Sequence, residues 1–151
     1  MSRENRSAAR LAATQALYQM EVGGKGLNEI LAEFESHWIG REVEGEQYIP
    51  AETEFFRDIL RGVLERQREI DMDIDEALSE GWPLRRVEAV MRATLRAGAF
   101  ELLQRKDVPA RVVVKEYVDV AAAFLAGDEV GMVNAVLDKL ARKARPDEFD
   151  G

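Results

Sequence analysis

The sequence predicts an all-α protein of about seven helices. Three observations carry this. Apolar residues recur every three to four positions through most of the 151 residues. Three of the four prolines, Pro50, Pro83 and Pro109, open long proline-free stretches, as proline does at a helix start. No Asn-Gly or Asp-Gly pair stands between two apolar runs, where it would turn a hairpin.

The first helix is expected near residues 4–22, with Ala9, Ala13, Ala16, Leu17 and Met20 on one side, and Gly23-Gly24 ends it. A weaker helix follows at 26–37, through Leu27, Ile30, Leu31 and Phe34. Residues 38–51 read as a loop. The third helix spans about 52–68, where Phe55/Phe56, Ile59/Leu60 and Val63/Leu64 recur every four residues. The fourth covers 69–80, with Ile70, Ile74 and Leu78 on one face. The fifth is expected to start at Pro83 and reach 104, and the sixth to run from Pro109 to about 125. Val112, Val113 and Val114 favour a strand by propensity. However, 110–125 is uninterrupted and too long for an ordinary strand. It is apolar nearly all round, so it is expected to be the most buried helix, with the others packed around it. The seventh covers 129–143, where Asp128 is expected to cap the start and Asn134 to satisfy a buried backbone group.

Length, composition and the lack of an internal repeat fit a single domain over 1–151. Apolar residues make up 46%, which excludes a disordered chain. There is no cysteine and a single histidine, His37. Thiolate zinc sites and two-histidine centres are therefore excluded, and no catalytic constellation emerges. No cofactor or metal is expected, and the chain is not expected to be an enzyme. The Asp71–Glu76 run resembles the start of a calcium loop but has Glu76 where glycine is needed and Trp82 where a bidentate glutamate is needed, so it reads as a solvated helix face. No apolar run approaches the ~20 residues of a membrane span, which points to a cytoplasmic protein without a membrane partner.

Net charge is −8, yet it is unevenly placed. Residues 1–20 carry a net +2, residues 21–80 a net −11 and residues 81–151 a net +1. Arg3, Arg6 and Arg10 are spaced three and four apart, so on a helix they share one face, which Ser7, Thr14 and Tyr18 extend. Arginines bind phosphates bidentately and a ring can stack a base, so the stripe suits RNA. By spacing alone a solvated face is the plainer reading, and a transit peptide, Arg-bearing and acid-poor, is a third. If each arginine neutralises one phosphate, replacing all three flattens the salt dependence of binding by roughly 2 in log–log slope. A second stripe, Arg85, Arg92 and Arg96, reads as a salt-bridged surface, with Glu88 four residues before Arg92.

Six segments together resemble the NusB family of bacterial transcription antitermination factors. They are RLAATQALY at 10–18, FRDILRGV at 56–63, GWPLRRV at 81–87, LRAGAFELL at 95–103, DVPARVVVKEYVDVA at 107–121 and MVNAVLDK at 132–139. They run in the family's order over almost the whole chain. The resemblance implies two three-helix subdomains built around shared central helices. It implies binding of the boxA RNA element of ribosomal RNA leaders, together with the small-subunit ribosomal protein NusE, in a complex that helps RNA polymerase resist termination. It places Arg6, Arg10 and Gln15 at the RNA, Asp128 and Met132 near it, and Tyr18 towards NusE. The chain departs from the family pattern at Ser7 within an arginine run, at Met132 for phenylalanine, at Lys115 and at Ala135. Two other readings are an accessory domain of an RNA methyltransferase, which would need a longer gene, and a protein-interaction module that does not bind RNA. Monomer and homodimer both fit the sequence.

Overall fold

A computed structural model describes the backbone of residues 3–39, 50–78 and 83–149, with side chains for 5–34, 53–78 and 83–149. The described residues form seven α-helices and no strand: α1 (Arg3–Gly23), α2 (Leu27–Ile39), α3 (Pro50–Glu65), α4 (Gln67–Ala77), α5 (Ala89–Gln104), α6 (Ala110–Phe124) and α7 (Gly127–Ala144). Short 3-10 turns occupy Leu84–Arg86 and Pro146–Glu148. None of these helices is long and apolar enough to cross a membrane. The expected 38–51 loop lies mostly outside the described residues, and His37 has no described side chain.

Helices α1, α2 and α3 pack on one another, as do α5, α6 and α7. The two sets meet where α1 lies against α5, and α4 bridges α5 and α7. This matches two three-helix groups sharing central helices. Phe34 stacks on Phe56, with ring centroids 5.3 Å apart, to tie α2 to α3. Gly24 adopts φ +67°, a left-handed conformation that glycine takes without steric cost, and this turns the chain after α1.

The central position belongs to α5 rather than to α6, which corrects the expectation. Helix α5 packs against α1, α3, α4, α6 and α7, and Met91 together with every residue from 93 to 102 except Arg96 is buried. Its small residues Ala93, Ala97, Gly98 and Ala99 allow neighbouring backbones to come close. Helix α6 is amphipathic instead. It buries Val113, Val114, Tyr117, Val120 and Ala121 and leaves Val112 43% exposed. The valine triplet is therefore helical because tertiary packing on α5 and α7 outweighs strand propensity.

Pro109 ends the α5–α6 loop as the residue before α6. Pro83 does not start α5. It precedes the Leu84–Arg86 turn, and α5 begins at Ala89. That turn is held by Asp75, whose Oδ1 accepts the Leu84 N–H at 2.7 Å, and by Leu84 itself, which is buried. The Asp71–Glu76 run is largely a solvated helix face, with Met72, Asp75 and Glu76 exposed, and it also pairs with other helices. Asp71 accepts two hydrogen bonds from Arg96 at 2.8 and 2.9 Å, and Glu76 accepts one from Lys143 at 2.8 Å. Two other expectations are corrected. Ala126 precedes α7 and no side chain caps it, so Asp128 favours the helix dipole from the first turn without capping. Asn134 is exposed, so it satisfies no buried group.

Candidate nucleic-acid interface

Helix α1 runs antiparallel to α5. Arg10 pairs with Glu101 and Glu21 with Arg92, near opposite ends of the seam. It runs parallel to α6, with Ser7 meeting Glu116 near the N-termini. The α1–α6 seam therefore displays the first turns of both helices side by side.

Arg10 is the anchor of this arrangement. Its Nε and Nη2 donate to the two carboxylate oxygens of Glu101 at 2.9 and 3.0 Å, a bidentate pair. Its Nη1 donates to Glu116 Oε1 at 3.0 Å. Ser7 Oγ donates to the same oxygen at 2.7 Å, and the Tyr117 hydroxyl donates to Glu101 Oε2. Thr14 Oγ1 donates to the Arg10 carbonyl at 3.0 Å. The guanidinium also lies 5.1 Å from the centre of the Phe55 ring. Burial alone would pull the Arg10 pKa down, but hydrogen bonding and charge from Glu101, then Tyr117 and Glu116, raise it above the ordinary value. Burial, then the Glu101 charge, pushes the Tyr117 phenol well above its ordinary pKa.

This corrects the expected three-arginine stripe. Arg10 is 1% exposed and its guanidinium is committed to two carboxylates, so it holds α1 in place rather than presenting charge to solvent. Arg6, half-buried, has no ion-pair partner among the described residues. The side chain of Arg3 lies outside the described residues.

Arg6 opens onto a cleft of about 390 Å³ between α1 and the start of α6. Lys115 stands with Arg6 on its lining, Pro109 and Val112 give it apolar surface, and Arg10 and Glu116 reach it from the buried network. Lys115 pairs only loosely, at 3.3 Å, with exposed Asp119. Such a surface pair contributes little and leaves the ammonium available. Two cations beside an apolar wall can take phosphate oxygens and the face of a base. Lys115 was noted in the sequence only as a departure from a family pattern. Its signal is the register of α6, which sets it at the mouth of the cleft.

A second groove, about 690 Å³, lies further along the same seam. It is lined by Gln15, Tyr18 and Gln19 of α1, Glu88 and Val90 beside the start of α5, and Phe124 at the end of α6. Tyr18 and Phe124 are 38% and 39% exposed. The structure thus separates Gln15 and Tyr18 from Arg6 along one seam. Asp128 is exposed in the first turn of α7 and Met132 packs partly into the core, and neither lines the cleft or the groove.

Two of the three arginines of the second stripe, Arg92 and Arg96, are neutralised, though not by Glu88. Arg92 donates to Glu21 and to the carbonyls of Leu84, Arg85 and Val87. Arg96 pairs with Asp71 and, at 3.2 Å, with Glu21. Arg85 is exposed. No group of three or more acidic or histidine side chains among the described residues is arranged to hold a metal ion.

Known proteins share this sequence pattern and fold. The sequence model of the NusB family matches residues 7–142. A transcription antitermination protein NusB of Rhodopseudomonas palustris strain HaA2 is 66% identical over 144 residues, covering 95% of this chain and 85% of that protein. One of Nitrobacter hamburgensis is 65% identical over 144 residues, covering 95% of this chain and 90% of that protein. Among solved structures, NusB of T. maritima superposes with a TM-score of 0.80 at 32% identity, covering 95% of this chain and 96% of that one. A structure of the antitermination factors NusB and NusE in complex with double-stranded RNA matches with a TM-score of 0.78 at 22% identity, over 94% of this chain and 99% of that one, a likeness of fold.

Proposed function

The chain belongs to the NusB family, and on that premise we propose that it is a transcription antitermination factor that binds boxA RNA together with NusE and helps RNA polymerase resist termination. What carries the reading is family membership over nearly the whole chain, and the cations on the α1–α6 seam support it. Its relatives at 65–66% identity bear the name of an antitermination protein, which favours this reading over an accessory domain of a methyltransferase. The chain works by binding in the cytoplasm, with no catalytic step of its own.

RNA is read at the cleft of Arg6 and Lys115, with Arg3 beside it on the first turn of α1. Gln15 extends the contact along α1, and Asp128 and Met132 meet the RNA from α7. Arg10 contributes by fixing the helix on which Arg6 stands. The body is acidic, so the local positive charge decides where RNA approaches. NusE docks at Tyr18, where the half-exposed ring and Phe124 form an apolar surface flanked by Gln15 and Gln19. Aromatic rings of this kind, apolar in body and polar at the tip, commonly anchor protein interfaces.

Co-purification with NusE and boxA RNA tests the proposal. NusE is expected to raise RNA affinity, because the heterodimer presents a joint surface that neither partner holds alone. Tyr18→Ala should weaken NusE binding by roughly tenfold or more, as loss of an interface aromatic does. If that variant binds NusE normally but RNA poorly, the ring belongs to the RNA contact instead.

A further inference from the structure

Opposite α1, the Arg6 cleft is lined by Val112, Lys115 and Glu116 of α6 and, ahead of that helix, by Asp107, Val108 and Pro109 of the α5–α6 loop. A loop of this kind joins four orphan carbonyls at the end of one helix to four orphan N–H groups at the start of the next. Neither helix end has a side-chain cap of its own. The groups that satisfy them come from 38 to 44 residues away, in the segment after α7.

Arg145 is 5% exposed and sits under the loop. Its Nε donates to the Leu102 carbonyl at 2.9 Å, and its Nη2 to the carbonyls of Glu101 and Arg105 at 2.8 Å each. Its Nη1 donates to the Val108 carbonyl and to Glu148 Oε2, the latter at 3.2 Å. Glu148 then accepts the Ala110 N–H at 2.8 Å, the first N–H of α6. One ion pair thus places a cation at the C-terminus of α5 and an anion at the N-terminus of α6, the favourable sign at both ends. Phe149 follows, with the guanidinium carbons of Arg111 and Arg142 each 4.7 Å from its ring centre. Arg111 lies four residues before Lys115, on the same side of α6. From the other side, Arg105 ties the loop to Asp107 and, at 2.9 Å, to Asp58 of α3. The Ala110 N–H, ahead of Arg145, holds the Glu148 carboxyl below the usual carboxylate range.

We propose that residues 145–149 are a positioning clamp for the RNA site. Arg145 and Glu148 hold the α5–α6 loop as a fixed part of the wall of the Arg6–Lys115 cleft, and Phe149 aligns Arg111 beside it. The clamp lies beyond residue 142, where the match to the family model ends. The inference rests on the RNA-binding reading above and adds to it residues that do not touch the cleft.

Glu148→Ala and Glu148→Gln in the full chain test this. Glu148 is exposed enough for both variants to fold, and glutamine keeps an oxygen acceptor for the Ala110 N–H. Three quantities are read: amide exchange over 105–113, affinity for boxA RNA in the presence of NusE, and affinity for NusE alone. Glu148→Ala should speed exchange in that loop and lower RNA affinity roughly threefold to tenfold, the worth of one lost hydrogen bond. NusE affinity should be unchanged, and Glu148→Gln, which keeps an acceptor for the Ala110 N–H but loses the ion pair to Arg145, should fall between Glu148→Ala and the unaltered protein. Unchanged exchange would overturn the clamp. Faster exchange with unchanged RNA affinity, or an equal loss of RNA and NusE binding, would overturn its positioning role. Absence of RNA binding by the unaltered protein would overturn the antitermination reading, and the positioning role with it.

Discussion

Replacing Arg10 by alanine should destabilise the protein by about 3–5 kcal/mol, the cost of leaving a buried charge without its partner. Glu101 is fully buried and takes both of its ion-pair hydrogen bonds from Arg10. Removing the guanidinium leaves it with the Tyr117 hydroxyl alone. Glu116 keeps the Ser7 hydroxyl. Among the described residues no other cation pairs with Glu101 or Glu116, whose remaining partners, the Tyr117 and Ser7 hydroxyls, are neutral. The loss also frees α1 from both α5 and α6 at one point. Pairing Arg10→Met with Glu101→Gln should recover part of the stability, since the second change removes the stranded charge. Urea unfolding of the two single variants and the double variant checks this. A loss under about 1 kcal/mol for Arg10→Ala would mean that the network holds nothing. The same variant is a poor probe of RNA contact, because any loss of affinity would follow from the loosened helix.

Gly62→Ala should cost about 2–3 kcal/mol, at the upper end of what overpacking does in a filled core. A Cβ at this position would stand 2.0, 2.4 and 2.6 Å from three ring atoms of Phe100, where no real methyl group fits. Phe100 is itself buried on α5, so the ring can yield only by moving its neighbours. The better helix propensity of alanine, worth up to about 1 kcal/mol, offsets a part. Gly98→Ala makes the instructive contrast. There the nearest atoms are the Leu137 methyls at 3.0 Å and a Tyr117 ring atom at 3.3 Å, so a shift of a few tenths of an ångström relieves it. It should therefore cost far less. Equal denaturation midpoints for Gly62→Ala and the unaltered protein would show that α3 and α5 are not in close register.

The helices were legible because their apolar periodicity is local. What escaped the sequence was long-range. Helix α5 is the central one, yet Ala93, Ala97, Gly98 and Ala99 dilute its large apolar residues, which makes a fainter signal than the valines of α6. The start of α5 was misplaced by six residues because proline opens a 3-10 turn as readily as an α-helix, and the carboxylate of Asp75 that holds the turn lies eight residues before Pro83. Arg6 and Arg10 look alike in sequence, and only partners 91 and 106 residues away separate them. A signal did exist. Arg10 is spaced three and seven residues from Ala13 and Leu17, both buried, so it shares the apolar face of α1. Glu101, a lone carboxylate inside AFELL, was its complement. Little nearby marked Arg145, whose carbonyl acceptors lie at the end of α5 and in the loop after it.

The salt dependence of RNA binding tests the central claim most directly. With Arg10 buried, the first-helix triple replacement confounds stability with charge, and the double variant Arg6→Ala/Lys115→Ala isolates the cleft. Each phosphate neutralised on a single strand contributes about −0.7 to the slope of log affinity against log salt. Affinity for boxA RNA should be measured at several salt concentrations, with NusE present, for this variant and for the unaltered protein. The account predicts a slope flatter by about 1.4, with unfolding and NusE affinity unchanged. An identical slope in the two proteins would contradict the assignment of the α1–α6 cleft as the RNA contact.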